Sequence, residues 1–137
     1  MKLCSACLLG IACRYDGVCK PNKKILSLAK KEILIPICPE QLGGLSTPRT
    51  PAEQKGDKVF TKEGKDVTAQ FRKGAEEVLK IAKLFNVNEV ILKQRSPSCS
   101  SEQIYDGTFS NTLIRGNGVT TDLLKKSGIK VLSEEDL

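Results

Sequence analysis

Two short apolar runs, each broken at a proline beside a cysteine, limit what this chain can fold into. They are Ile33-Leu-Ile-Pro-Ile-Cys38-Pro-Glu40 and Val90-Ile-Leu-Lys-Gln-Arg-Ser96-Pro-Ser98-Cys99. Neither run alternates apolar and polar residues, so each reads as a strand buried on both faces that ends where proline forbids continuation. Met1 to Cys7 repeats the pattern more weakly. Strands covered on both faces are the signature of a parallel sheet between helix layers. In such a sheet the strand ends lie side by side, which would carry Cys7, Cys38 and Cys99 to one edge.

The segments between these runs supply the expected helices. Thr68 to Leu84 carries the strongest helical periodicity, with Phe71, Ala75, Val78, Leu79, Ala82 and Phe85 on one stripe. Asp66 or Thr68 can cap its start, and the stripe reads as core packing. Ile25 to Lys31 and Thr120 to Lys126 are shorter helices, the second ended by Gly128. Lys2–Ser5, Ile33–Cys38, Glu89–Lys93 and Lys130–Leu132 are the expected strands. Strands alternating with helices predict a single α/β domain over 1–137, Rossmann-like, with a mainly parallel sheet and flanking helices.

Two long connections interrupt that alternation at strand C-terminal ends. Residues 39–58 contain several prolines and the pair Gly43-Gly44, which argues against a regular helix there. Val59 to Val67 reads as a small hairpin. Residues 94–118 form a second long loop rich in Ser, Gly, Asn and Thr. Loops of this length in a small domain are more often functional than incidental.

Composition narrows the chemistry. No apolar run approaches the ~20 residues of a membrane span, and the N-terminal apolar stretch is too short for export, so a cytoplasmic location is expected. In a reducing cytosol, six cysteines in 137 residues point to metal binding or catalysis rather than disulfides. The chain has no histidine, so a metal site must use thiolates with carboxylates or water, and no imidazole can serve as base. Thiolate-rich sites of this kind favour iron–sulfur clusters or zinc. A net charge of +6 suits an anionic ligand or cofactor. With 4% aromatic residues, platforms for stacking single-stranded nucleic acid are sparse, and no pattern supports nucleic-acid binding.

Ligands of an open α/β sheet bind beyond the carboxyl ends of the strands. Three thiolates there, from Cys7, Cys38 and Cys99, suit a [4Fe–4S] cluster with one iron left open, whereas four would close it. Lys93, Arg95, Arg14 and Arg49 are placed to offset the cluster's negative charge. Glu40, two residues after Cys38, is the natural general base if burial raises its pKa. Ser96, three residues before Cys99 and held by Pro97, can hydrogen-bond a water or substrate. The plainer alternatives are that Glu40 pairs with an arginine and Ser96 caps a turn. Cys4-Ser-Ala-Cys7 is a possible zinc pair, but the chain has no second pair of that spacing. Cys4 lies within a strand pattern and is expected to point into the core.

Four motifs in order then identify a family. Ser5-Ala-Cys7-Leu-Leu-Gly10 with Arg14-Tyr-Asp-Gly17, Cys38-Pro-Glu40 with Gly-Gly-Leu and Pro48-Arg49, Leu92-Lys with Ser96-Pro-Ser-Cys99, and Ile104-Tyr-Asp-Gly with Phe109 and Gly116-x-Gly118 resemble the bacterial family filed as domain of unknown function 523. Its characterised representatives are thiouracil desulfidases. The resemblance implies a [4Fe–4S] cluster on Cys7, Cys38 and Cys99, with Glu40 and Ser96 beside the open iron. It also implies a small thiolated base, such as thiouracil, as substrate. The chain departs from the family pattern in carrying Cys4, Cys13 and Cys19, of which Cys13 competes for a ligand position. It also has Ser100 where the family usually has Gly. Two further readings stand beside this one: a non-catalytic iron–sulfur or zinc module handling sulfur or redox state, and a domain whose glycines at 43–44 and 116–118 hold a nucleotide phosphate.

Overall fold

The computed structural model describes residues 1–137 and contains one four-stranded parallel sheet. Its strands are β1 (Lys2–Ser5), β2 (Leu34–Ile37), β5 (Glu89–Leu92) and β8 (Lys130–Ser133), in the order β2-β1-β5-β8. The chain crosses from β1 to β2 through α1 (Lys23–Ala29), and from the β2 side back to β5 through α3 (Thr68–Leu84). It then reaches β8 through α4 (Val119–Lys126). The direction of winding therefore reverses at β1, which puts the switch point between β1 and β5.

Side-chain alternation along each strand divides the core in two. Leu3, Ile37, Val90 and Leu92 face α3 and α4, where they pack with Val78, Ala82, Leu124 and Ile129. Cys4 and Ile91 face the other way, onto Ile25 of α1 and the short 3₁₀ turn Ala6–Leu9. The central strand β5 has Val90, Ile91 and Leu92 at most 1% exposed, as a strand covered on both faces requires. β2 differs from that expectation. It is an edge strand of four residues, with Ile33 outside it and 67% exposed and Pro36 facing solvent. Proline is tolerated there because the outer side of an edge strand needs no N–H.

The apolar stripe of α3 ends earlier than its periodicity suggests. Phe71, Ala75, Val78 and Ala82 are buried, but Phe85 lies beyond the last turn and is 47% exposed. The Thr68 N–H is capped by Asp66 Oδ1 at 2.9 Å. On α1 only Ile25 is fully buried, since the helix lies at the rim of the sheet.

Both long connections contain more structure than their composition suggests. Residues 39–58 begin with a single helical turn, α2 (Pro39–Leu42), because proline at the first helical position lacks only an N–H that would have no partner there. They continue into a hairpin of β3 (Ala52–Lys55) and β4 (Lys58–Thr61), turned at Gly56, so the hairpin starts earlier than residue 59. Residues 94–118 hold a second hairpin, β6 (Gln103–Tyr105) with β7 (Leu113–Arg115). The two connections are tied together. Gln54 Nε2 donates to the carbonyls of Pro97 (2.8 Å) and Asn117 (2.9 Å). Glu53 Oε1 accepts the N–H groups of Gly107 and Phe109, both at 3.1 Å.

Three glycines let backbone meet backbone behind these connections. A Cβ on Gly74, in the middle of α3, would lie 1.9 Å from the Pro39 carbonyl oxygen, and one on Gly43 would lie 2.0 Å from that of Gln70. A Cβ on Gly118 would lie 2.3 Å from the carbonyl of Ser98. The turns that follow Cys38 and surround Cys99 are thus seated directly on helical backbone.

Candidate active site

A cavity of about 570 Å³ opens at the carboxyl edge of the sheet, at the switch point, under the two hairpins. Its inner wall carries four thiols. Cys7 sits in the 3₁₀ turn directly after β1, and Cys38 is the residue after β2 and before α2. Cys99 comes seven residues after the end of β5, on a chain that turns back at Arg95 (φ +60°) to bring it over the strand ends. Cys7, Cys38 and Cys99 all line the cavity. The fourth thiol, Cys13, belongs to the loop after the first motif and is 2% exposed. It packs in one buried cluster with Cys7, against which Cys38 is also packed, and the Cys38 thiol donates to its carbonyl at 3.8 Å.

Two cysteines lie elsewhere. Cys4 points into the sheet core, where burial and then the charge of Glu134 push its thiol up to about 12. It takes no part in the cavity, so the Cys4–Cys7 pair does not converge on one ion. Cys19 is exposed and lies outside the cavity. No disulfide is present. No three Cys, Asp or Glu side chains surround a single point as ligands of one metal ion.

Three of the thiols on the wall, Cys13, Cys38 and Cys99, are pushed above the ordinary cysteine pKa. Burial raises Cys99 to about 12, with the neighbouring Cys38 and Glu40 adding to the shift against hydrogen bonds from Ser5 and Ser96. Cys38 is raised first by the Cys13 thiol and then by burial. For Cys13 the contact with Cys38 lowers the pKa, but the contact with Cys7 and burial outweigh it. A crowd of buried thiols resists being ionised one by one, and a cationic partner relieves that resistance. This donor set fits a [4Fe–4S] cluster: the sulfurs surround a volume rather than a point, they are soft, and no imidazole competes.

Glu40 and Ser96 line the same cavity. Glu40 comes from the first turn of α2 and Ser96 from the turn before Cys99, so the backbone contacts at Gly74 and Gly118 fix both. Glu40 pairs with an arginine, as the plainer alternative has it: Arg49 Nε donates to its Oε1 at 3.2 Å. Burial nevertheless raises the Glu40 pKa above the ordinary carboxylate value, only partly offset by Arg49 and the more distant Arg14. Ser96 also caps a turn, since its Oγ accepts the N–H groups of Ser98 (3.1 Å) and Cys99 (3.0 Å).

Arg49 is the organising cation. Its side chain is 8% exposed. Besides Glu40 it donates to the Ser46 carbonyl (3.0 Å), Thr47 Oγ1 (2.9 Å) and the Cys13 carbonyl (2.9 Å). Arg14, Lys93 and Arg95 also line the cavity, each already paired: with Asp16 (3.4 Å), Glu134 (2.9 Å) and Glu135 (2.7 Å). Lys62, on the lip beyond β4, has no ion pair. Of the five cations on the wall, Lys62 is thus the one without a carboxylate partner.

Sequence reasoning did not place Lys62, Tyr105, Phe109 or Asn111 in the wall. Tyr105 and Phe109 belong to a family motif, which was the available signal; Lys62 and Asn111 had none. The glycines at 43–44 and 116–118 do not cradle a phosphate, because the N–H groups of Gly43, Gly44, Gly116 and Gly118 are all bonded to backbone carbonyls. Ser100 is wholly buried. Its Oγ accepts from the Arg95 N–H (3.0 Å) and reaches Gln94 Oε1 (2.8 Å) and the Gln103 carbonyl, which fixes the turn that carries Cys99.

Known proteins share this sequence and this fold. The model of a family described as 2-thiouracil desulfurase matches residues 3–136. A Bacillus subtilis (strain 168) relative, the uncharacterized protein YbbK, is 46% identical over 147 residues, spanning 100% of this chain and 97% of its own. The solved structure of a [4Fe-4S]-dependent thiouracil desulfidase, TudS, superposes with a TM-score of 0.94 at 43% identity. That match covers 99% of this chain and 91% of the other.

Proposed function

This chain belongs to the 2-thiouracil desulfurase family, and from that premise we propose that it hydrolyses the C–S bond of a small thiolated pyrimidine, without redox change, using a [4Fe–4S] cluster. The observation that carries the reading is the cavity wall itself: Cys7, Cys38 and Cys99 share it with Glu40 and Ser96. The solved relative's dependence on such a cluster supports the cofactor. Cys7, Cys38 and Cys99 would hold the cluster, and Arg14, Arg49, Lys93 and Arg95 would balance its charge. When bound, the cluster supplies a Lewis-acidic iron with affinity for sulfur.

The protein's own groups do the rest. The apolar sides of Tyr105 and Phe109 and the hairpins above exclude bulk water from the ring of the base. Glu40 takes a proton from one water, which attacks the carbon that carries sulfur. Its raised pKa suits this task, because a base works best when its pKa approaches the working pH. Arg49 keeps the carboxylate ionised and fixed on one oxygen, leaving the other to meet the water. Ser96 spends its lone pairs on two amides, so its single proton is the donor left at the wall. That proton orients the attacking water. Sulfur departs as hydrosulfide, and the ring keeps the water's oxygen as a carbonyl.

No helix is long and apolar enough to cross a membrane, and six free thiols suit a reducing compartment, in keeping with action on a free small molecule in the cytosol.

The test is anaerobic reconstitution with iron and sulfide, followed by sulfide release from 2- and 4-thiouracil. Glu40→Gln is expected to keep its iron and acid-labile sulfide and lose at least about 100-fold in turnover. A full cluster that releases no sulfide from any thiolated pyrimidine refutes the activity. Undiminished turnover in Glu40→Gln removes that residue as the base.

A further inference from the structure

The proposed reaction uses three of the four thiols on the wall and leaves Cys13 without a role. Its surroundings differ from those of an ordinary buried cysteine, whose neighbours are apolar side chains. Cys13 shares one buried cluster with Cys7, against which Cys38 is also packed, and it lines the same cavity wall as both of them and Cys99. The backbone of Cys13 is also fixed. Its N–H donates to the Ile11 carbonyl at 2.8 Å, and its own carbonyl accepts from Arg49 Nη2 at 2.9 Å and from the Cys38 thiol at 3.8 Å. The guanidinium that holds Cys13 also holds Glu40, so this thiol and the base are set by one side chain.

A thiol so placed sits within reach of whatever Cys7 and Cys38 bind. Four thiolates close a four-iron cluster, and an open iron in a sulfur-lined cavity takes the nearest soft donor. We propose that Cys13 is a reversible fourth ligand of the cluster, capping the iron at which substrate sulfur binds and giving way when substrate arrives. The proposal rests on the reading of Cys7, Cys38 and Cys99 as the permanent ligands. In the exchange, the bond from iron to the Cys13 sulfur breaks and one from iron to the thiocarbonyl sulfur forms. The released thiolate takes a proton from solvent, and no electron moves. The cap guards the open iron against loss and oxidation between turnovers, and substrate must compete with it.

The test uses the holoprotein reconstituted without air, as wild type, Cys13→Ala, Cys13→Ser and Cys19→Ala. Mild ferricyanide oxidation strips an uncapped iron and leaves a three-iron cluster, which is counted by its electron paramagnetic resonance signal. Cys13→Ala is expected to give at least threefold more of that signal than wild type and to show a KM for 4-thiouracil lowered at least threefold. Cys19→Ala should match wild type in both. An equal three-iron yield in wild type and Cys13→Ala overturns the cap. If neither Cys13 variant assembles four irons, Cys13 is a permanent ligand, which also overturns it. The resonance measurement needs no substrate, so a wild type that fails to desulfurise thiouracil would sink the proposed activity and leave the ligand result standing.

Discussion

Gly74 offers the sharpest test of how the fold positions the site. It occupies the middle of α3, where alanine is ordinarily favoured over glycine by about 1 kcal/mol. Here a Cβ would meet the Pro39 carbonyl oxygen at 1.9 Å and the Gly43 nitrogen at 3.3 Å. To bring the first contact beyond 3.0 Å, α2 must retreat from α3 by more than about 1 Å. Neither partner can rotate away, because both are backbone. Overpacking of this kind costs about 3 kcal/mol, so Gly74→Ala should lose about 2 kcal/mol net of the propensity gain. For a chain of this size that lowers the melting temperature by about 8 °C. Glu76→Ala, exposed on the same helix, should stay within about 0.5 kcal/mol of wild type. Urea unfolding of the cluster-free protein reads both. Because α2 carries Glu40 and follows Cys38, Gly74→Ala should also retain less iron after anaerobic reconstitution. A variant as stable as wild type with full iron content would refute the backbone contact and the claim that α3 seats the Cys38 turn.

Removing Arg49 should act on both stability and pH dependence. Arg49→Ala leaves Glu40, 17% exposed, without its cation, at a cost of about 3 kcal/mol. Arg49 lowers the Glu40 pKa against burial, so its loss raises that pKa further. The base must be ionised to act, so activity falls as pH drops through the Glu40 pKa. The acid limb of kcat/KM in Arg49→Ala should therefore move to higher pH, and a limb that stays or moves lower refutes the assignment. The stability sign follows from the same shift: a carboxyl raised in the folded state holds its proton more tightly there, so its contribution is greatest at low pH and is lost as pH rises through the folded value. Ser100→Gly should lose about 2 kcal/mol by leaving the Arg95 N–H without its buried acceptor, with no backbone gain because Ser100 is not left-handed. Unchanged urea stability would show that this hydroxyl does not hold the Cys99 turn.

The sheet was legible because burial on both faces leaves a mark in the sequence. Val90-Ile-Leu is an unbroken apolar run and Thr68–Leu84 keeps the helical period, and the structure makes the first a central strand and the second a helix on the sheet. The connections were harder to read, since their order comes from contacts distant in sequence. Nothing local announces that Gln54 binds the carbonyls of Pro97 and Asn117, or that Glu53 caps the turn at Gly107 and Phe109. The helical turn at Pro39 was masked by the composition of the whole connection, although proline at a first helical position is compatible with a helix. The positions of Cys7 and Cys38 followed from strand ends. That of Cys99 did so only approximately, because seven residues and a left-handed Arg95 intervene.

Cys13 marks where strand-end reasoning stops. A cysteine six residues after Cys7, in a glycine-bounded loop, has no periodicity to place it. What brings it to the wall is Arg49, whose guanidinium reaches Cys13, Glu40 and its own loop at once. Each of those bonds alone is worth little. A planar cation with its donors fixed in a fork loses little further freedom in making the second and third, so the three segments are positioned together. The sheet supplies the edge, the glycine contacts seat the turns, and this one side chain sets the thiol loop against the carboxylate. A lysine at 49 would keep the charge and lose that geometry, which is why charge alone does not account for this site.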